Sequence, residues 1–248
     1  MIGQCIAVVS GKGGTGKTSL TAGVGSALAM RGRRVLCIDC DVGLRNLDLA
    51  LGLTDRALMD FSDVIAGRCS LENAAVRHPQ IETLSLLTAP VRARSEDVTE
   101  REFRALLDLV RASYDYCLLD APAGLGGGFR LATCGADRCI VVTTTDASSL
   151  RDAQHTVMEL SRFGEGRLHL VVNRVRRKLL RSMHATIDDA IDKAGLPLLG
   201  VVPEDDALTL SMARNRALLT CGESAAASAY QNIAARLQGG RVPLLRIK

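Results

Sequence analysis

The stretch SGKGGTGKTSL at residues 10–20 decides the fold of this chain. Its residues 11–18 match the pattern G-x-x-x-x-G-K-[ST], between an apolar stretch at 5–10 and a helical pattern at 17–32. In such a loop, backbone N–H groups and the N-terminus of the following helix bind phosphate, because both carry positive partial charge. The sequence therefore predicts a nucleotide site in which Lys17 contacts the β- and γ-phosphates and Thr18 binds Mg²⁺. The predicted contacts in this segment are Gly11, Lys12, Gly13, Gly14, Thr15, Gly16, Lys17, Thr18 and Ser19.

Apolar strand patterns alternate with helical patterns along the chain, without internal repeats. This alternation is typical of a mostly parallel sheet with helices on both faces. The predicted fold is therefore α/β, of the P-loop NTPase type, with residues 1–238 as one domain and 239–248 as a short tail. Strands are predicted at 5–10, 34–39, 82–89, 116–122, 138–145, 168–173 and 198–203, and helices at 17–32, 95–113, 147–163, 182–194, 205–214 and 224–238.

Acidic residues follow two of the predicted strands, at the sheet edge where ligands bind in such folds. Asp120 ends the strand YCLLD, and a Mg²⁺ site beside a phosphate loop needs a carboxylate there. Asp39 and Asp41 follow the strand RVLCID, where two such acids suit contact with the Mg²⁺ shell and activation of water; a solvated turn is the alternative. Thr18, Asp39 and Asp120 are thus the predicted metal-site residues, and the segment PAGLGGG at 122–128 is predicted to be flexible.

Composition limits the classes of function open to these 248 residues. The formal net charge is +4, and aromatic residues make up only 3% with no Trp, which disfavours nucleic acid as a partner. Among the eight Cys, the C-x-x-C of Cys37 and Cys40 has no second pair at zinc spacing. No apolar run reaches the ~20 residues of a membrane span, so we expect a cytoplasmic protein or one peripheral to the inner face of the cell membrane.

Five segments resemble the MinD/ParA family of deviant Walker A ATPases, and its MinD branch in particular. They are KGGTGKT (12–18), DCDVGLRNLDLALG (39–52), DAPAG (120–124), SSLRDA (148–153) and GVVPED (200–205). The resemblance implies an ATPase that needs Mg²⁺, is slow unless activated, and has Lys12, Lys17 and Asp41 as catalytic residues. Lys12 would reach the ATP held by a second copy, and Asp41 would position the attacking water.

The resemblance also implies roles for residues beyond the phosphate loop. Asp39 and Asp120 would support Mg²⁺, while Asn46 and Asp152 would lie on faces that contact a partner. The implied adenine contacts are Asn173, Arg174, Pro203, Glu204 and Asp205, with Arg174 stacking on the base. The implied partners are a second copy in the presence of ATP, a MinC-like inhibitor, a MinE- or MinJ-like regulator and an anionic membrane surface, in a cycle that places the division septum.

The C-terminal tail leaves two interpretations open. Its apolar residues Val242, Leu244, Leu245 and Ile247 alternate with Arg241, Arg246 and Lys248, a composition that suits a lipid surface. The alternative is a tail folded onto its own domain. The basic run NRVRRKLLRSM at 173–183 is interpreted as a solvated loop, with a patch that binds lipid or DNA as the alternative.

Two other functions stay open on the same fold. One is a ParA-like or flagellar-number positioning ATPase, which would favour a broad DNA-binding patch or an additional N-terminal segment. The other is an iron–sulfur carrier, which would need a cysteine just after the segment at 120–128. The nearest one is Cys134.

Overall fold

The computed structural model describes residues 2–42, 44–91, 98–182, 186–222 and 224–245, without the side chains of residues 177, 180 and 181. The strands are β1 (Gln4–Val9), β2 (Val35–Asp39), β3 (Val76–Arg77), β4 (Leu84–Leu87), β5 (Tyr116–Asp120), β6 (Arg138–Thr143), β7 (Leu168–Val175) and β8 (Leu198–Pro203). The helices are α1 (Lys17–Met30), α2 (Leu47–Leu51), α3 (Phe61–Ile65), α4 (Leu71–Ala74), α5 (Glu100–Ser113), α6 (Gly127–Cys134), α7 (Ala147–Glu159), α8 (Arg177–Ser182), α9 (Ile187–Ala194), α10 (Asp206–Ala213) and α11 (Ala225–Leu237), with a 3-10 turn at Leu218–Thr220.

The strands form one sheet in the order β3-β4-β2-β5-β1-β6-β7-β8. All neighbours are parallel except β3 and β4, which confirms the predicted mostly parallel sheet. β1 lies inside the sheet between β5 and β6. The loop that follows β1 therefore lies near the middle of the row formed by the carboxyl ends of the strands. The antiparallel edge strand β3 was not predicted, because two residues are too short to give a periodic pattern.

Two apolar layers cover the faces of the sheet. Alternate residues of each strand enter opposite layers: in β1, Ala7 belongs to the layer under α5, α6, α7 and α9, and Ile6 to the layer under α1 and α11. Cys5, Cys37, Cys117 and Cys139 are fully buried in these layers as small apolar residues, as the apolar runs around them indicate.

Helix boundaries follow side-chain caps more closely than apolar periodicity. α5 begins at Glu100, because Thr99 accepts a hydrogen bond from the Glu102 N–H and the Glu102 carboxylate accepts one from the Thr99 N–H. α9 begins at Ile187, after a similar cap at Thr186. The predicted starts at 95 and 182 are therefore too early, and residues 92–97 and 183–185 lie outside the described residues.

One prediction about a loop is wrong. Residues 173–182 of the basic run do not form a loop, because β7 continues to Val175 and α8 follows at Arg177–Ser182. The glycine-rich segment at 122–128 ends inside α6, which begins at Gly127 although two glycines open it. A glycine weakens a helix by only about 1 kcal/mol, and buried residues such as Phe129 and Leu131 offset that cost.

Within the described residues, no helix has the length and apolar character to cross a membrane.

Candidate nucleotide site

The phosphate loop at residues 10–16 joins the centre of the sheet to the N-terminus of α1. Gly14 and Gly16 have φ angles of +78° and +89°, in the left-handed region that favours glycine. A Cβ on Gly14 would meet no atom within 4 Å, so open space lies next to its backbone. Gly16 is the N-cap of α1 and supplies no side-chain acceptor, which leaves the first N–H groups of the helix without a cap. The loop therefore presents backbone donors to an anion.

Lys17 is a buried cation beside this loop. Only 7% of the residue is exposed, and its Nζ donates to the Ser10 Oγ at 2.9 Å. Burial lowers the pKa of Lys17, although the nearby Asp120 and Asp41 carboxylates act in the opposite direction. No carboxylate of the described residues lies within salt-bridge distance of it. Because a buried ammonium is costly without an anion, the site is suited to phosphate.

Asp39 and Asp120 are neighbours at the carboxyl ends of β2 and β5, where they are register partners. The Asp120 carboxylate accepts hydrogen bonds from the Thr18 Oγ1 at 2.7 Å and the Thr21 Oγ1 at 3.2 Å. Burial, and then the adjacent Asp39 charge, raise the pKa of Asp120 to about 7. The structure thus brings together Thr18, Asp39 and Asp120, the three side chains predicted for Mg²⁺.

Asp39 also shapes the loop between β2 and α2. Its carboxylate accepts hydrogen bonds from the backbone N–H groups of Asp41 at 2.8 Å, and of Asn46 and Leu47 at 3.1 Å each. Burial raises the pKa of Asp39 to about 6 despite these donors. Burial raises the pKa of Asp41, and the positive charge of Lys17 acts in the opposite direction. Residue 43, in the same loop, lies outside the described residues.

Lys12 is directed at α7 of its own chain. Its Nζ donates to the Ser148 Oγ at 2.7 Å and lies 3.4 Å from the Asp146 Oδ1. Asp146 also caps α7 by accepting the Ser149 N–H at 3.0 Å. Sequence reasoning missed Asp146 and Ser148 as contacts of Lys12, because they lie 134 and 136 residues further along the chain. The motif DASS does carry the signal of a helix N-cap.

Asp152 lies on the second turn of α7, against the start of the phosphate loop. A Cβ on Gly11 would stand 2.7 Å from the Asp152 carbonyl oxygen and 2.9 Å from the Thr156 Oγ1. Gly11 therefore permits α7 to pack against the loop backbone, a role beyond phosphate binding.

The residues predicted to contact adenine lie at the carboxyl ends of β7 and β8 or directly after β8. The Asn173 Nδ2 donates to the Thr15 carbonyl oxygen at 2.8 Å, and its Oδ1 is buried without a hydrogen-bond partner. Glu204, after Pro203 at the end of β8, accepts from Arg174 and Arg176. Asp205 accepts N–H groups from Ala207 at 2.9 Å and Ala226 at 3.0 Å, so its two oxygens cap α10 and α11.

The residues present fit a magnesium nucleotide. Phosphates suit three features of the loop: the Lys17 ammonium without a carboxylate partner in the described residues, the uncapped start of α1 and the open space beside Gly14. The Asn173 Oδ1, which is buried without a hydrogen-bond partner, can accept from an amino group such as that of adenine. No group of three or more His, Cys, Asp or Glu residues in the described ranges is arranged to hold a metal. This agrees with Mg²⁺, which usually takes one or two carboxylates together with phosphates and water.

The loop, the buried lysine and the paired aspartates define a P-loop nucleotide-binding protein. Residues 6–219 match the family described as the CobQ/CobB/MinD/ParA nucleotide binding domain. The chain belongs to this MinD/ParA family, on its MinD branch, and ATP and Mg²⁺ are its cofactors.

Relatives and solved structures agree with that placement. The chain is 36% identical to the septum site-determining protein MinD of Synechocystis sp. over 98% of this chain and 92% of the relative. It is 34% identical to a chain of the MinC:MinD cell division protein complex of Aquifex aeolicus, with a TM-score of 0.89 and 98% of each chain covered. The septum site-determining protein MinD complexed with Mg-ADP from Pyrococcus horikoshii has a TM-score of 0.82 at 31% identity, with 95% of this chain and 96% of that chain covered.

Proposed function

We propose that this chain is an ATP-hydrolysing switch that dimerises when it holds ATP and takes part in placing the division septum. The MinD names of its relatives and structural neighbours support the septum role. The position of Lys12 supports the dimer. Its ammonium contacts Ser148 and Asp146, and its side chain remains 43% exposed, where a second copy can meet it.

Two ATP molecules that face each other across a dimer bring many negative charges together. A cation lent by each copy offsets that repulsion and stabilises charge that develops on the transferred phosphoryl group. Lys12 can leave its present partners at small cost, because both members of the Lys12–Asp146 pair are half-exposed and such pairs contribute only about 0–1 kcal/mol. The triphosphate of a second copy carries more charge than one carboxylate, so ATP favours the exchange.

The other residues of the site have separate roles in hydrolysis. Lys17 would neutralise phosphate from within its own chain, and Thr18, whose Oγ1 donates to Asp120, would hold Mg²⁺. Asp39 fixes the loop that carries Asp41, and Asp41 orients the attacking water. Mg²⁺, when bound, supplies charge neutralisation at the phosphates.

The mass of the protein in solution with nucleotide tests the dimer. We expect light scattering after size exclusion to give a dimer with Mg²⁺ and a non-hydrolysable ATP mimic, and a monomer with ADP. Lys12→Ala should stay monomeric with the mimic while it still binds ADP. Lys193→Ala, which removes an exposed lysine from the last turn of α9, is the matched control and should dimerise like the wild type. A wild type that remains monomeric well above cellular concentration contradicts the proposal.

We further propose that the closed dimer attaches to an anionic membrane surface and binds a MinC-like inhibitor and a MinE- or MinJ-like regulator. The Aquifex relative forms a MinC:MinD complex. In this chain the tail lies against its own domain as far as Leu245. The Arg236 Nε and Nη2 donate to the Val242 carbonyl oxygen at 3.0 and 2.6 Å, respectively. Leu245 packs against the apolar layer under α11. Tethering would therefore require release of the tail, and residues 246–248 lie outside the described residues.

Sedimentation with vesicles that contain anionic lipid tests this attachment. We expect ATP to increase the bound fraction severalfold over ADP. Leu244→Ser, which replaces a half-exposed apolar side chain of the tail by a polar one, should abolish the increase. Leu210→Ser on α10 is the control, because Leu210 has a similar exposure. Equal sedimentation of wild type and Leu244→Ser would contradict a tail tether, and ATP-dependent binding to duplex DNA in a parallel sample would favour a ParA-like function.

A further inference from the structure

A β-bulge at the end of β7 aims two consecutive side chains at the phosphate loop. The register between β7 and β8 shifts between Val172 and Val175, and Asn173 and Arg174 lie in the shifted segment. Arg174 has a φ angle of +55°, in the left-handed region that non-glycine residues rarely adopt. Bulges of this kind redirect side chains and occur often beside active sites.

Both redirected side chains hold backbone carbonyls of the loop. The Arg174 Nη1 donates to the Gly14 carbonyl oxygen at 3.0 Å, and the Asn173 Nδ2 donates to the Thr15 carbonyl oxygen at 2.8 Å. A peptide unit is planar and trans, so each carbonyl points opposite to the N–H of the next residue. Holding the Gly14 and Thr15 carbonyls therefore fixes the directions of the Thr15 and Gly16 N–H groups.

The loop needs such external restraint because of its glycines. Gly14 and Gly16 have left-handed backbone angles, and glycine moves between conformations more freely than any other residue. Gly16 is also required for the contact itself, since a Cβ there would stand 2.2 Å from the Asn173 Nδ2. The residues that give the loop its shape thus leave its peptide planes free to turn unless other side chains hold them.

Glu204 orients Arg174 from the neighbouring strand end. Its Oε1 accepts from the Arg174 Nη2 at 3.3 Å and from the Arg176 Nη2 at 2.8 Å. The Glu204 backbone N–H donates to the Val175 carbonyl oxygen at 3.1 Å, which ties its loop to the bulge. Arg174 thereby bridges Glu204 and Gly14, whereas Arg176 shares the same carboxylate without a hydrogen bond to the loop.

We infer that Arg174 is a positioning residue of the phosphate loop, which fixes the Gly14–Thr15 peptide plane for phosphate, and not a base-stacking contact as the resemblance implies. Asn173 acts in the same way on the next plane. The ligand portion that benefits is the phosphate chain, with or without a base attached. The inference rests on nucleotide binding alone, so it stands independently of dimerisation and hydrolysis.

Calorimetric titration of the full chain with MgADP and with magnesium pyrophosphate tests the inference. ADP is chosen because its binding does not require the ATP-dependent dimer. We expect Arg174→Ala to weaken both ligands by about tenfold, which is the loss of one charge-assisted hydrogen bond. Arg176→Ala removes the same charge from the same carboxylate and should change either affinity by less than about twofold. Arg174→Lys keeps the charge with a single donor group and should fall between wild type and alanine.

Amide hydrogen exchange of the nucleotide-free protein supplies a second readout. The Thr15 and Gly16 amides should exchange severalfold faster in Arg174→Ala and at the wild-type rate in Arg176→Ala. If ADP binding weakens while pyrophosphate binding does not, Arg174 acts on the base and the inference is overturned. Equal losses in Arg174→Ala and Arg176→Ala, or none in Arg174→Ala, overturn it as well. Should Arg174→Ala fail to fold, the same comparison is made with Arg174→Lys.

Discussion

Asp39 and Asp120 are register partners on the adjacent parallel strands β2 and β5, and both residues are at least 98% buried. Burial raises the pKa of both acids well above the usual range for Asp, and the Asp39 charge raises the pKa of Asp120 further. The fold therefore holds a pair of carboxyl groups that is unfavourable when charged and is relieved by a bound cation.

Replacement of one acid should increase the stability of the fold and abolish hydrolysis. We expect Asp120→Asn to stabilise the nucleotide-free protein by about 1–3 kcal/mol, because it removes a buried charge while an amide can keep hydrogen bonds to Thr18 and Thr21. The same change should abolish Mg²⁺-dependent hydrolysis. Urea unfolding and phosphate release measure the two effects.

The matched control for Asp120→Asn is Asp205→Asn. Hydrogen bonds from helix N–H groups lower the pKa of Asp205 even though its partial burial acts in the opposite direction, so loss of its charge should destabilise the fold by about 1 kcal/mol. A loss of stability in Asp120→Asn would show that the buried pair is not repulsive.

The pH dependence of stability follows from the same pair. The folded-state pKa values of about 6 for Asp39 and about 7 for Asp120 exceed the unfolded value of 3.8, so the folded state binds more protons in between. Their contribution is fully present below pH 3.8 and is lost as the pH rises through 6 to 7. The stability advantage of Asp120→Asn over wild type should therefore grow between pH 5 and pH 8, and Mg²⁺ with ADP should reduce it. Melting curves of both proteins at each pH measure this difference, in which the titrating groups outside the Asp39–Asp120 pair cancel.

Close packing of α1 on α11 depends on Gly23. A Cβ at this position would stand 2.1 Å from the Tyr230 ring, which is fully buried. We expect Gly23→Ala to destabilise the fold by about 1–3 kcal/mol, since overpacking outweighs the gain of about 1 kcal/mol in helix propensity. Gly164→Ala is the control, because a Cβ there meets no atom within 4 Å. Denaturant midpoints that match between the two variants would mean that the helices can move apart freely.

Loss of the Asp41 carboxylate should separate dimerisation from turnover. Asp39 holds the Asp41 backbone N–H, and burial raises the pKa of Asp41 while Lys17 lowers it. We expect Asp41→Ala to form a long-lived ATP dimer with at least 100-fold slower phosphate release, because the water loses its orienting group. Asp48→Ala in the nearby α2 is the control. Phosphate release at the wild-type rate would assign the water to another residue.

Much of the fold could be predicted from the sequence, because the signals are local. The glycine and lysine spacing at 11–18 requires a strand before it and a helix after it, and the structure places β1 and α1 there. Asp39 and Asp120 could be predicted to meet, because acids that end parallel strands share one sheet edge.

Tertiary structure alone decided the contacts between segments that are distant in sequence. No local pattern indicates that Lys12 would lie against Asp146, or that a bulge at Arg174 would reach the Gly14 carbonyl. A bulge changes side-chain direction through strand register, and an exposed lysine takes whichever partner the packed helices bring near. The sequence by itself thus determined the chemical groups of the site and the sheet edge that carries them. Packing of the helices and the register of β7 on β8 decided which of these groups contact each other, because side-chain directions depend on the arrangement of the whole sheet.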